Sequence, residues 1–220
     1  MSDDLLTRPF ALIVALALVS LLPFAFMSVT AFVKISTVLQ IVRSAIGAQS
    51  VPSNTVVLAL ASALTLLAMA PVGAQIAARG APLLNGKEKD PVTLVREGID
   101  AVREPMRDFL GANASTKEKG RFLAIARDAR PAADRPGVTE RDLPVLVPAF
   151  VVTELGEAFA IGFLLFLPFL ILDLVVANVL LALGMQSLSP TQVSLPFKLL
   201  LFVGIDGWGL LSQALVAGYR

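Results

Sequence analysis

Long apolar runs divided by one polar interval set the plan of this chain. Residues 10–33 are almost continuous hydrocarbon, residues 55–72 are rich in Ala and Leu, and residues 143–217 return to Leu, Val, Ile and Phe with isolated charges. Most of the Lys, Arg, Asp and Glu lie between them, in residues 79–142. A membrane-crossing helix needs about 20 mostly apolar residues. Residues 10–33 therefore predict a first span, kinked at Pro23 and ended by Lys34. Residues 34–52 read as a basic connection that continues as helix before turning at residues 47–52. Ser53 or Asn54 then caps a second helix over residues 55–72, whose many Ala residues suit close packing against other helices.

In the polar interval, Val95, Ile99, Val102, Met106 and Phe109 recur at alternating spacings of four and three, which is one face of a helix. Pro105 interrupts that face and predicts two helices, the second starting near Glu104. Ser115 and Glu118 form a capping box for a further helix that carries Phe122 and Ile125, and residues 131–139 read as loop. About 60 residues make a marginal independent domain, so the insert is expected to lean on its neighbours. The last third reads as an approach segment (143–159), a span (161–183) containing Pro168 and Asp173, a turn (184–190) and a final span (195–217). The predicted organisation is an N-terminal apolar unit (1–78), a soluble helical insert (79–142) and a C-terminal apolar hairpin (143–220). The fold class is an all-α membrane-type protein.

Composition sharpens this picture. The chain is 56% hydrophobic and 16% charged, against about 45–50% and 25% in ordinary soluble domains. Its net charge of +1 leaves no strongly basic face, so nucleic acid is not an expected partner. Without Cys or His there is no disulfide, no thiol chemistry, no zinc site of the usual ligands and no His acid–base catalysis. No cofactor, metal or enzymatic activity is expected. The N-terminus reads as a retained span rather than a cleaved signal, because its apolar run is longer than a signal needs. The basic connection places residues 34–43 on the cytoplasmic side. The N-terminus, the insert and the C-terminus would then lie opposite, with the 184–190 turn cytoplasmic or dipping into the protein.

Six charges sit in or beside hydrocarbon: Lys34, Glu154, Glu157, Asp173, Lys198 and Asp206. Such groups need partners or a water-filled lining. Glu154 and Glu157 share a helix face, and Lys198 on the following helix is the natural partner for Glu154. Lys198 lies near the turn and Glu154 far from it, so that pair closes more easily between copies than within a straight hairpin. Asp173 and Asp206 stand as lone acids. They are either hydrogen-bonded packing residues or steps of a proton path, and the latter keeps an ion-coupled transporter or proton channel as the alternative function. Gly204, Gly207 and Gly209 bring backbones close around Asp206 and favour packing. Tyr219, beside Arg220, reads as an interfacial anchor and Trp208 as a packing residue. The turn is either a plain connector or, through the flexible thioether of Met185, an adaptable seal.

Several stretches together resemble a known family: KISTVLQIVRSAIGAQSVPSNTVVLALASALTLLAMAPV, EPMRDFL, PAFVVTELGEAFAIGFLLFLPFLILDLVVANVLLALGM and LSPTQVSLPFKLLLFVGIDGW. They are similar to the SctR family of type III secretion export-apparatus proteins (YscR, HrcR, SpaP), whose flagellar counterpart is FliP. The wording of the turn is nearest the HrcR type. The resemblance implies a non-enzymatic subunit that forms a pentamer and joins SctS-like and SctT-like proteins in a cone-like export gate, together with other export-apparatus proteins. Unfolded secretion substrates would thread through it across the bacterial inner membrane, with the helices largely lifted to the periplasmic side of the lipid. It also implies a gasket at Met185, Gln186 and Ser187, with Leu188 adding apolar closure, and an inter-subunit pair of Glu154 with Lys198. Many relatives hold a Met-rich loop here, whereas this chain has one Met followed by Gln and Ser. Lys34, Pro52, Asn54, Asp173, Asp206 and Trp208 match motif positions with structural roles.

Overall fold

The computed structural model describes residues 4–47, 52–85 and 91–219, all helix, turn or coil, with no strand among them. Nine α helices follow in order among these residues: α1 (Asp4–Val29), α2 (Phe32–Ile46), α3 (Asn54–Ala68), α4 (Ala70–Asn85), α5 (Pro91–Asn113), α6 (Thr116–Asp128), α7 (Leu143–Ala182), α8 (Pro190–Gly204) and α9 (Gly207–Ala217). The all-α reading holds.

The expected basic connection is a core helix. α2 buries Ile35, Val38, Leu39, Val42 and Ala45, positions that recur at three and four and so make one continuous stripe. The stripe packs on α7 and α3. α1 and α2 meet at a bend of 71° over Thr30 and Ala31, so the first apolar run breaks at Thr30, while α1 stays helical on both sides of Pro23. Lys34 is therefore a buried residue inside a helix rather than the end of a span, and the charge argument that placed residues 34–43 in a cytoplasmic loop no longer applies. Gly47 ends α2 in the left-handed conformation at φ 78°, which glycine adopts without steric cost. The turn expected at residues 47–52 is described only at its two ends, and Arg220 lies outside the described residues.

Ser53 caps α3 by accepting a bond from the Val56 amide, and α4 follows at a bend of 54°. α4 crosses position 78/79, so the polarity change there falls inside a helix. α5 continues unbroken through Pro105, against the expected split. An interior proline costs about 3 kcal/mol. Burial of Phe109 and Leu110, with Met106 beside them, against Leu146, Ala149 and Phe150 of α7 outweighs that cost. α6 begins at the predicted box: Ser115 Oγ accepts from the Glu118 amide at 3.3 Å. The box is half formed, because the Glu118 carboxylate turns to Arg121 while the Ser115 amide donates to Thr153 Oγ1 of α7 at 3.0 Å.

The predicted approach segment and span are a single helix. α7 runs 40 residues, about 60 Å at 1.5 Å per residue, twice the roughly 30 Å of a bilayer's hydrocarbon. Its first half buries Val145, Leu146, Ala149, Phe150, Thr153, Glu154, Ala158 and Gly162, whereas the second half buries only Phe169 and Leu180. α2 crosses close at Gly162, where a Cβ would lie 2.6 Å from Ile41 Cδ1. The final span is also broken, with α8 and α9 meeting at 57°. Among the described residues α7 is the one helix long and apolar enough by itself to cross a membrane, and up to four crossings result there if each bent pair counts as one.

Candidate functional site

Two buried ion clusters and one exposed turn gather nearly all the candidate residues. In the first cluster, Lys34 of α2 lies 3.0 Å from Glu154 Oε1 and 2.7 Å from Glu157 Oε2, both on α7. Glu154 is fully buried and Glu157 about half exposed. The contact to Glu154 Oε1 is an ion contact without hydrogen-bond alignment. Its other oxygen accepts a short hydrogen bond from the Tyr219 hydroxyl, which also approaches the Ala31 carbonyl at 3.2 Å. Lys34 Nζ sits 4.6 Å above the Tyr219 ring, within cation–π range. Burial first, and then the neighbouring Glu154 carboxylate, push the Tyr219 phenol above its ordinary range. It therefore stays protonated and donates.

The second cluster joins α7, α8 and α2. Lys198 Nζ of α8 donates to Asp173 Oδ2 of α7 at 2.7 Å and to the Ala45 carbonyl at 3.3 Å. Ala45 lies in the last turn of α2, where the carbonyl end of the helix favours a cation. Ser194, one turn before Lys198 and fully buried, donates a short bond to the other oxygen of Asp173 and contacts the Thr191 carbonyl at 3.1 Å. Asp173 is thus not a lone acid. Each of its oxygens has a donor.

Glu154 and Lys198 are not paired with each other within the chain. Each is held by partners of its own, and these two sets meet on opposite stretches of α7. Asp206 lies outside both clusters. It is exposed, left-handed at φ 51°, and sets the break before α9, where a helix N-terminus favours a carboxylate. A Cβ at Gly207 would overlap the Phe202 ring, whereas one at Gly209 would meet only the exposed Asp206 carboxylate, which can turn aside. Gly204 meets nothing, so it does not close the backbones as expected. Trp208 packs edge-on against Phe202 at 5.1 Å. Tyr219, read from sequence as a surface anchor, is instead drawn into the first cluster.

The turn joins α7 to α8 through a Schellman closure. Met185 N–H bonds the Leu180 carbonyl at 2.9 Å and Gly184 N–H bonds Leu181 at 3.1 Å, with Gly184 left-handed at φ 71°. Pro190 restarts helix in the first turn of α8. Between these ends Met185, Gln186, Ser187 and Leu188 are all exposed, Met185 at 48% and Leu188 at 46%. Two large apolar side chains thus stand at the tip of the hairpin with no partner from the described residues. Among these residues no group of three acidic side chains gathers in a way that would hold a metal.

Sequence reasoning missed Ser194 and Tyr219. Ser194 precedes Lys198 by four positions and so shares its helix face, a signal present in the sequence. Tyr219 had none, since its partners lie 65 and 188 positions away.

This arrangement defines a class: an all-α membrane-type protein whose buried charges join helices and whose main hairpin ends in an exposed apolar tip. The chain belongs to the FliP family, whose sequence profile matches residues 15–215. It is 44% identical over 210 residues to the hypersensitivity response secretion protein HrcR of Ralstonia nicotianae, covering 96% of this chain and 97% of that one. It is 40% identical over 208 residues to the Yop proteins translocation protein R of Yersinia pestis, covering 94% and 95%. A flagellar biosynthetic protein FliP from Cereibacter sphaeroides is 44% identical over 201 residues, covering 91% of this chain and 64% of the relative. The family resemblance read from the motifs is thereby established.

Proposed function

We propose that this chain is a core subunit of a type III secretion export gate, in which several copies, with SctS-like and SctT-like subunits, surround a channel for unfolded secretion substrates across the inner membrane. The observation that carries the reading is the near full-length similarity to proteins named for secretion and translocation. Exposed Leu, Ile, Val and Phe along the second half of α7 and on α8 fit burial against lipid or further subunits. In this reading the protein is a conduit component rather than a catalyst.

The 185–188 turn is the working part. Its backbone leaves α7 through a Schellman closure and re-enters helix at Pro190, while Met185 and Leu188 remain free to pack against the same residues of other copies. A ring of such pairs would close a pore without a rigid lock, because thioethers repack around irregular surfaces. Gln186 and Ser187 leave the seal partly polar. Deleting residues 185–188 should leave the complex assembled and let small solutes leak through it. An intact barrier in the deletion variant would remove the seal from the account. The ion-coupled carrier reading has less support, because Asp173 holds Lys198 and Ser194 rather than standing free.

A further inference from the structure

Two apolar clusters build this molecule. One centres on α2 with α3, α8 and α9, and the other joins the insert to the first half of α7. Tyr219 and Met69 each touch both clusters, but only Tyr219 also reaches an ion cluster. Its ring stacks on Phe109 of α5 at 6.0 Å and 25°. Its hydroxyl bonds Glu154 of α7 and the Ala31 carbonyl at the α1–α2 elbow. Lys34 lies over its face. One side chain after α9 thus meets the insert, the elbow and the long helix at once. α9 itself is seated elsewhere, on α3, through Leu211 and Leu215.

We propose that Tyr219 couples the seating of the α5–α6 insert to the seating of the α8–α9 arm, so that each unit docks only fully when the other does. The physical reason is shared occupancy. If the insert moves away, Phe109 leaves the Tyr219 ring, and a buried phenol beside Lys34 and Glu154 loses one apolar wall. If the arm moves away, Phe109 and Phe150, whose rings lie 5.6 Å apart, face an opening, and Glu154 loses the donor on one of its two oxygens. Coupling is reciprocal by thermodynamic necessity. A ligand or subunit that shifts the insert would therefore be felt at the arm, and through α8 at the hairpin. This coupling does not depend on the export-gate reading, since it is a property of the single chain.

Hydrogen exchange on the purified chain in detergent tests it. Phe109→Leu is expected to raise amide exchange by about tenfold, within the usual range of couplings, both in residues 106–113 and in residues 211–219. Tyr219→Leu should raise both by the same factor, and Tyr219→Phe, which keeps the ring, should raise them less. The unmodified chain gives a reading that needs no variant. Its amides in 106–113 and 211–219 should open with the same denaturant dependence, as one cooperative unit. Exchange that rises only on the side of each substitution, or two segments that open independently in the unmodified chain, would overturn the coupling.

Discussion

Lys198 and Asp173 meet at 2.7 Å across the α7–α8 hairpin, 25 positions apart, with the lysine side chain only 3% exposed. Breaking a buried pair by removing one partner typically costs about 3–5 kcal/mol, because the other charge is left stranded. Asp173 is about one-quarter exposed, so Asp173→Asn is expected to lower stability by about 3 kcal/mol, the bottom of that range. Denaturant titration in detergent measures it. Replacing both residues by Met should cost markedly less than Asp173→Asn alone, and equal losses would argue against a stranded lysine as the cause.

Glu154 reversal separates pairing within a chain from pairing between copies. Glu154→Lys places two lysines together at the Lys34 position, so the isolated chain should lose its cooperative melt. Adding Lys34→Glu should restore that melt. Copies that exchange partners on assembly would show a further effect, partial recovery of the assembled complex when Lys198→Glu is added instead. Thermal melts of the isolated chain read the first result, and native gel mass of the complex reads the second.

Gly162 permits the α2–α7 crossing. Gly162→Ala drives a methyl into Ile41 and should cost about 1–3 kcal/mol, the usual range for overpacking. Ile41→Ala in the same chain should recover part of the loss, giving non-additive energies for residues in contact. Additive losses in a double-mutant cycle would mean that the crossing does not rest on this contact.

Tyr219 gives a pH dependence with a defined sign. Its phenol is pushed up by burial and by Glu154, so the folded state keeps the proton that the unfolded chain releases near pH 10. The stabilisation is complete below that pH and is lost as pH rises above it, because only the unfolded state gains by ionising. Unfolding midpoints should fall more steeply above pH ~10 in the unmodified chain than in Tyr219→Phe. Tyr219→Phe keeps the ring and removes only the hydroxyl, so the difference between the two chains reads the phenol.

Much of the architecture was legible because it is local. The helix starts at Ser53 and Ser115 follow from short-range capping, and the tight turn after α7 from Gly184 and Pro190. Boundaries went astray where packing overrode local rules. Pro105 read as a break, yet α5 runs on through it because the Phe109 and Leu110 face that follows is buried against α7. Residues 34–46 read as connection because two basic residues outweigh, in a hydropathy argument, a stripe that is only visible once α2 is seated on α7. The costly charges were all visible, and so was their need for partners. Which partner each would take was not, because Lys34, Glu154 and Tyr219 converge from three distant parts of the chain.

If the α7–α8 tip lines the path of an exported chain, a chain halted in transit can be trapped there. The protein has no cysteine, so Met185→Cys introduces a single reactive position at the tip. With a secretion substrate stalled in transit and carrying one cysteine, oxidative cross-linking in cells should join the substrate to position 185. The same thiol placed at Ala78, an exposed residue of α4, should stay uncoupled. A stalled substrate that never cross-links to position 185, in a complex that still secretes, would contradict the account.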